Sequence, residues 1–201
     1  MNFLAHIYLS GDNPKIMVGN FIGDFVKGRN LLDQFEPEIA KGIELHRAID
    51  EFTDHHPVVL ESKKRLRPKY RHYAAVIVDV FYDHFLSRYW NNYHPELLLH
   101  FSSQTYLTIR SHWDILPEGV KHMLPYMMKD NWLLNYGELE GIERALSGMS
   151  RRTRHESRME ESIVDLREYY ESFRREFESF FPDLILESER FIDETLKKNN
   201  R

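Results

Sequence analysis

The chain of 201 residues contains no cysteine. Disulfides, thiolate metal sites and cysteine nucleophiles are therefore excluded, and any metal would have to be held by nitrogen and oxygen. A reducing compartment suits this composition, and a cytoplasmic location is the expectation. No apolar run approaches the roughly 18 residues of a membrane-crossing helix. The opening stretch, MNFLAHIYLSGDNP, has no basic leader and interrupts its apolar residues with His6, so no secretory signal is expected. Strand signals are missing as well, with no convincing apolar/polar alternation, internal repeat, low-complexity linker or domain boundary. Nor is there a Gly-rich phosphate loop ending in Lys-Ser/Thr, a G-x-S-x-G elbow or a dinucleotide fingerprint. Finally, positive charge is not in excess. A formal charge of −5 speaks against a general nucleic-acid binder.

What is present is an ordinary globular balance of 42% hydrophobic and 29% charged residues, with eleven histidines. Such a chain can bury one good core but not two sizeable ones. The expectation is a compact, all-α, single-domain fold over residues 1–201. Asn2 to Ser10 reads as a short helix closed by the turn Gly11-Asp12-Asn13-Pro14. Glu38 to Asp54 reads as a helix opened by Pro37 and closed before Pro57. Tyr70 to Trp90 reads as one long helix, with the basic run Lys63, Lys64, Arg65, Arg67, Lys69 and Arg71 connecting the two. Glu96 to Trp113 is helical again, and the apolar stretch through Met127, Met128 and Trp132 reads as short helices interrupted at Pro125. Leu139 to Met149 follows. From Glu156 a long charged helix carries an apolar stripe of Ile163, Leu166, Tyr170, Phe173 and Phe177. Pro182 is expected to restart a last helix, with Leu184, Phe191 and Leu196 facing in and a fraying Lys/Asn tail.

Several polar residues on these helices need an explanation. Asp79 and Asp83 are four apart, one above the other on an apolar segment, and carboxylates are rarely buried without a partner. His46 and Asp50 repeat the spacing on the Glu38–Asp54 helix. Asp24 stands among Gly19, Gly23 and Gly28, and His6 lies on the first helix. The set His6, Asp24, His46, Asp50, Asp79 and Asp83 offers only imidazole and carboxylate ligands, which suits manganese, magnesium or iron better than structural zinc. Each pair alone is more often a salt bridge or a hydrogen-bonded core pair, and Asp24 alone more often a cap or turn residue. Recurrence on two helices favours a shared site. A divalent ion there would activate water and neutralise charge on a phosphoryl oxygen, which points to phosphate-ester hydrolysis. Lys27, Arg29 and Arg47 are then partners for phosphate oxygens. His84 could shuttle a proton, but it lies about 100° around the helix from Asp83, and a packed histidine outside the site fits equally well.

The same residues fall in blocks. These are Asn2-Phe3-Leu4-Ala5-His6, then Gly19-Asn20 with Asp24-Phe25-Val26-Lys27-Gly28, then Gly42-Ile43, His46-Arg47, Ile49-Asp50 and Thr53-Asp54. Asp79-Val80 with Asp83-His84-Phe85-Leu86-Ser87-Arg88 and Trp90 forms a third, and Trp132-Leu133 with Met149-Ser150-Arg151-Arg152 a fourth. They resemble the acyl carrier protein phosphodiesterases over most of the chain up to residue 152. The resemblance implies an HD-domain-like, manganese-preferring hydrolase that removes 4′-phosphopantetheine from the serine of holo-acyl carrier protein. On the residues themselves, Asp24, His46, Asp50, Asp79 and Asp83 are the main metal and catalytic candidates, with His6 a lesser one. The adjacent His-Asp doublet of HD proteins is absent; His46-Arg47 and Asp83-His84 are the nearest things to it. Acyl carrier proteins are acidic, so the resemblance also makes docking surfaces of Lys63 to Arg71 and Arg151 to Arg154, with Arg151 and Arg152 as substrate contacts. Two alternatives stay open: an HD-like hydrolase of a nucleotide or other small phosphoester, and a non-catalytic helical binding protein built on buried ion pairs.

Overall fold

Prolines and an asparagine cap start the early helices. The computed structural model describes the backbone of residues 1–199 and the side chains of residues 1–194. The first helix, α1 (Phe3–Tyr8), is followed by α2 (Pro14–Ile22), whose first turn is capped by Asn13, its side chain accepting from the N–H groups of Lys15 and Ile16. Proline also opens α3 (Pro37–His55) and α4 (Pro57–Tyr70), where its missing N–H would be unpaired anyway. Then come α5 (Ala74–Arg88), α6 (Leu98–Ser111), α7 (Glu118–Lys129), α8 (Trp132–Asn135), α9 (Leu139–Ser150), α10 (Ser162–Glu168) and α11 (Tyr170–Asn199). Among the described residues there is no strand, and no helix is long and apolar enough to cross a membrane. The all-α expectation holds.

Helix α5 is the core. Ile77, Val78, Phe81, Tyr82, Phe85 and Leu86 are all buried, and α1, α4, α9 and α11 pack around it. The most extensive helix pairing is α2 against α3, and glycine makes it close. A Cβ on Gly42 would sit 2.1 Å from the Ile16 carbonyl oxygen, and one on Gly19 2.1 Å from that of Ile39. Only hydrogen fits at either position, so the two backbones touch there. Helix α11 lies across α3, α4 and α5 with Phe173, Phe177, Phe180, Phe181 and Leu184 buried.

Four sequence expectations are corrected. Tyr70–Trp90 is not one helix: Tyr70 closes α4, Arg71 turns with φ 52°, Arg71–Tyr73 make a 3-10 turn, and α5 ends at Arg88. The chain reverses at that turn. Secondly, the basic run is no connector but most of α4, with Ser62, Lys63, Leu66 and Tyr70 buried. Thirdly, Pro125 lies inside α7, and the chain breaks instead at Asn131, φ 38°. Finally, Pro182 lies inside α11 and restarts nothing; the break falls earlier, at Tyr169. A proline inside a helix costs about 3 kcal/mol. Phe180, Phe181 and Leu184, buried on both sides of Pro182, recover more than this at about 1.5–3 kcal/mol each. The side chain of Leu196 and the tail beyond Asn199 lie outside the described residues.

Candidate active site

His6 on α1 and His46 on α3 stack, with ring centroids 4.0 Å apart and planes 17° from parallel. Gly23, just after α2, leaves room for this, because a Cβ there would come 2.3 Å from Cγ of His46. The Nδ1 atoms of both rings are engaged by one residue of α2. His6 Nδ1 lies 2.8 Å from Asn20 Oδ1, and His46 Nδ1 lies 2.8 Å from the Asn20 carbonyl oxygen. An oxygen acceptor on each side requires that both Nδ1 atoms carry the hydrogen. Each neutral ring therefore presents the lone pair of Nε2.

Both Nε2 atoms face Asp50. Its Oδ1 is 3.3 Å from His6 Nε2 and its Oδ2 3.2 Å from His46 Nε2, while Asp24 Oδ1 is also 3.2 Å from His46 Nε2. Donor atoms of His6, His46 and Asp50 lie within 4.8 Å of one another. A lone pair against a carboxylate oxygen is repulsive unless a proton or a cation stands between them. In the protein alone a proton does so at His46. Burial would lower the pKa of His46, but Asp24 and Asp50 outweigh it and raise the value to about 9. Burial and the His46 charge push His6 down. Burial would raise Asp50, yet its bonds to His46 and His6 hold it far below the usual carboxylate range. Asp24, two-thirds exposed on the Gly23–Phe25 turn, is held low by its bond from His46.

A second positive group stands beside these. The amino group of Met1, buried, is 3.2 Å from Asp79 Oδ1 and 3.6 Å from Asp50 Oδ1. Burial would lower its pKa, but Asp79 and Asp50 raise it to about 10. Positive charge thus sits between the carboxylates of α3 and α5. Two imidazole lone pairs with convergent carboxylate oxygens form a donor set that fits a divalent cation.

The cluster lies at one side of a cavity of about 840 Å³. Asp24, Asp50, Asp54 and Asp79 make its acidic side. Arg144, Met149, Arg151 and Arg152, on and just after α9, also line the cavity, and Phe25, Met123 and Trp132 add apolar wall.

A family model described as acyl carrier protein phosphodiesterase matches residues 1–184. The chain belongs to the acyl carrier protein phosphodiesterase family. It is 33% identical over 194 residues to the acyl carrier protein phosphodiesterase of Photorhabdus laumondii, covering 94% of this chain and 96% of that one. With the Yersinia enterocolitica protein of the same name it shares 33% over 190 residues (94% and 98% covered), and with an Escherichia coli one 32% over 197 residues (94% and 98%). No solved structure matches.

In this acyl carrier protein phosphodiesterase family member, the sequence candidates divide into groups. His6, Asp24, His46 and Asp50 come together, and Asp79 joins them through the Met1 amino group. Asp83 stands behind them. Fully buried, it accepts from the N–H groups of Asn2 (3.3 Å), Leu4 (2.7 Å) and Ala5 (3.3 Å), donors that the start of α1 leaves unpaired. Burial pushes its carboxyl up to about 7. His84 is further away, its Nδ1 donating to the Tyr136 carbonyl at 2.8 Å and its Nε2 accepting from the Tyr170 hydroxyl at 2.9 Å. Lys27 and Arg29 are exposed and have no ion pair among the described residues. Arg47 donates to the carbonyl oxygens of Val26 (3.4 Å) and Gly28 (2.8 Å), tying that loop to α3.

Asn20, Arg144 and the Met1 amino group are not among the site candidates of the sequence. Asn20 stands in the first resembling block, yet nothing in one dimension pairs it with both histidines. Arg144 shares a helical stripe with Gly148 and Arg152, four residues apart each time, a pattern no different from a solvated face.

Proposed function

We propose that this chain is a divalent-metal-dependent phosphodiesterase that hydrolyses holo-acyl carrier protein to the apo carrier and 4′-phosphopantetheine. The observation that carries the metal part is the convergence of two imidazole lone pairs on Asp50. Membership of the family carries the substrate. His6, His46 and Asp50 would hold the cation, with Asp24 and Asp79 adjoining. Manganese is the expected ion, and magnesium or iron fits the same ligand types. When bound, the cation supplies a Lewis acid for the phosphoryl group and for water.

The remaining steps belong to the chain itself. Water's oxygen bonds to phosphorus, the bond from phosphorus to the carrier's serine oxygen breaks, and that oxygen takes up a proton. Asp24, ionised and exposed beside His46, is the group placed to accept the proton that water gives up. The bond cut joins phosphorus directly to the carrier's surface. The carrier must therefore press against the acidic side of the cavity, while the pantetheine arm occupies the space between Trp132, Met149 and the arginines. Arg151 and Arg152, which line the cavity, then meet phosphate, Lys27 and Arg29 outside it meet the carrier's acidic groups, and Arg47 holds the loop that bears these two. We read residues 1–201 as one such domain of HD-like type acting in the cytoplasm.

The test is to incubate metal-stripped protein with holo-acyl carrier protein, with and without manganese, and to follow the carrier's mass. Manganese-dependent loss of the phosphopantetheine mass is expected. An unchanged carrier, with the protein folded and loaded, would sink the reading.

A further inference from the structure

We infer that Asn20 is a positioning residue that presents both histidines to the cation, fixing His6 through its side chain and His46 through its backbone. The inference rests on the reading of His6 and His46 as ligands. Its geometry is independent of that reading. A histidine can coordinate through Nε2 only if its hydrogen is elsewhere, and the partner of the other ring nitrogen decides where it is.

For His6 that partner is an amide, which could in principle point either way. Here it cannot. Asn20 Nδ2 lies 2.7 Å from the His6 carbonyl oxygen, which only accepts, and 3.0 Å from Ser10 Oγ. The Ser10 hydroxyl gives its own hydrogen to that same carbonyl at 2.7 Å, so its oxygen is left to accept from Nδ2. The NH2 end is therefore assigned and Oδ1 must face the ring; His6 Nε2 also has an oxygen beside it, the Met1 carbonyl at 3.2 Å, but the shorter 2.8 Å contact to Oδ1 assigns the single hydrogen of the neutral ring to Nδ1. For His46 the partner is a main-chain carbonyl, which has no alternative orientation. All four of these groups are buried. Helix α2 is held there by the Gly19–Gly42 contact one residue before Asn20. One residue on one helix thus commits ligands from two others.

The two halves separate experimentally, because every substitution at position 20 keeps the carbonyl. In metal-free protein carrying 15N-labelled histidine, at about pH 7.5, above the ordinary imidazole pKa, His6 should show a protonated Nδ1 and a bare Nε2. Asn20→Ala should move the His6 hydrogen substantially to Nε2 and leave the His46 Nδ1–H signal in place. Asn20→Asp, which retains an acceptor at Oδ1 but loses the donor to the His6 carbonyl, should keep a hydrogen on His6 Nδ1. Affinity for Mn²⁺, measured by titration, should fall about 10- to 100-fold in Asn20→Ala. A His6 hydrogen on Nε2 in the unsubstituted protein overturns the inference whatever the variants do, and so does an unchanged His6 pattern in Asn20→Ala. If the tautomers are as stated but no divalent cation binds, the positioning geometry stands and the metal reading fails. If Mn²⁺ binds but the tautomers are otherwise, the reverse holds.

Discussion

Asp50 lies against the Nε2 atoms of both histidines at once, and Asp83, equally acidic on paper, does something else. Asp50→Asn would leave the two Nε2 atoms against a neutral amide. Mn²⁺ affinity and turnover of holo-carrier should both fall by more than the roughly 100-fold of a lost outer partner, with the helical circular-dichroism signal unchanged. Asp83→Ala would instead strand three N–H donors, those of Leu4 and Ala5 buried, at about 1–3 kcal/mol for each buried one left unpaired. A lowered urea midpoint is expected, whereas Asp83→Asn, which keeps an acceptor, should fall less and bind Mn²⁺ with near-normal affinity. A large affinity loss in Asp83→Asn with stability intact would put that carboxylate in the metal shell after all. His46 sets a pH dependence. Its pKa is raised from 6.5 to about 9 in the metal-free protein, so its proton contributes stability that is full below pH 6.5 and lost as pH rises through about 9. The cation must displace that proton. Mn²⁺ affinity should therefore rise with pH across the same window, and a flat profile by titration calorimetry would remove His46 from the ligand set.

Helices α2 and α3 matter because they carry the parts of one centre on two rigid rods in backbone contact. Gly42→Ala would place a methyl group against Ile16 and Asn20. Overpacking of this kind costs about 1–3 kcal/mol, and by separating Asn20 from His46 it should weaken Mn²⁺ binding as well as lower the melting temperature. Helix α4 revises the idea of a docking surface. Lys63 pairs with Asp54 at 2.6 Å, Arg65 with Glu176 at 2.5 Å and Lys69 with Asp165 at 3.0 Å. Ser62 also bonds Glu176. Much of that basic run is tied into the packing of α3, α10 and α11, and charge reversal there is expected to damage stability. Lys27 and Arg29 have no such ties. Lys27→Glu with Arg29→Glu should lower kcat/KM for the carrier protein while leaving cleavage of a small phosphodiester unchanged; equal loss on both would count against docking at that loop.

At the level of the whole molecule, net charge works against the proposed substrate. A protein of charge −5 meeting an acidic carrier relies on local basic groups near the cavity. Added salt screens that attraction over distances beyond about 8 Å at physiological strength, so carrier turnover should decline with ionic strength more steeply than turnover of an uncharged ester. With a metal held as proposed, metal and fold would be linked as well. A ligand that binds only the folded state stabilises it by about 2.7 kcal/mol at a hundred times its Kd. Mn²⁺ should accordingly raise the melting temperature, chelator should reverse this, and His46→Ala should show neither shift.

The sequence by itself determined the helical class and the nitrogen and oxygen donors available on each helix, because helical periodicity and four-residue spacings are local properties of the chain. His46 with Asp50 is legible for that reason, and the cysteine-free composition already restricted a metal to nitrogen and oxygen. Other features had no local signature. Pro182 and Pro125 read as breaks and are not, since burial of side chains on either side outweighs one missing hydrogen bond. Asp79 and Asp83 are indistinguishable along the helix, yet one faces the Met1 amino group and the other accepts from the start of α1. Arg65 and Lys69 look like free charge until α10 and α11 supply their carboxylates. Above all, the shared role of Asn20 exists only where α1, α2 and α3 meet. Tertiary structure decided these points, because burial and hydrogen-bond partnership are set by chain segments far apart in sequence.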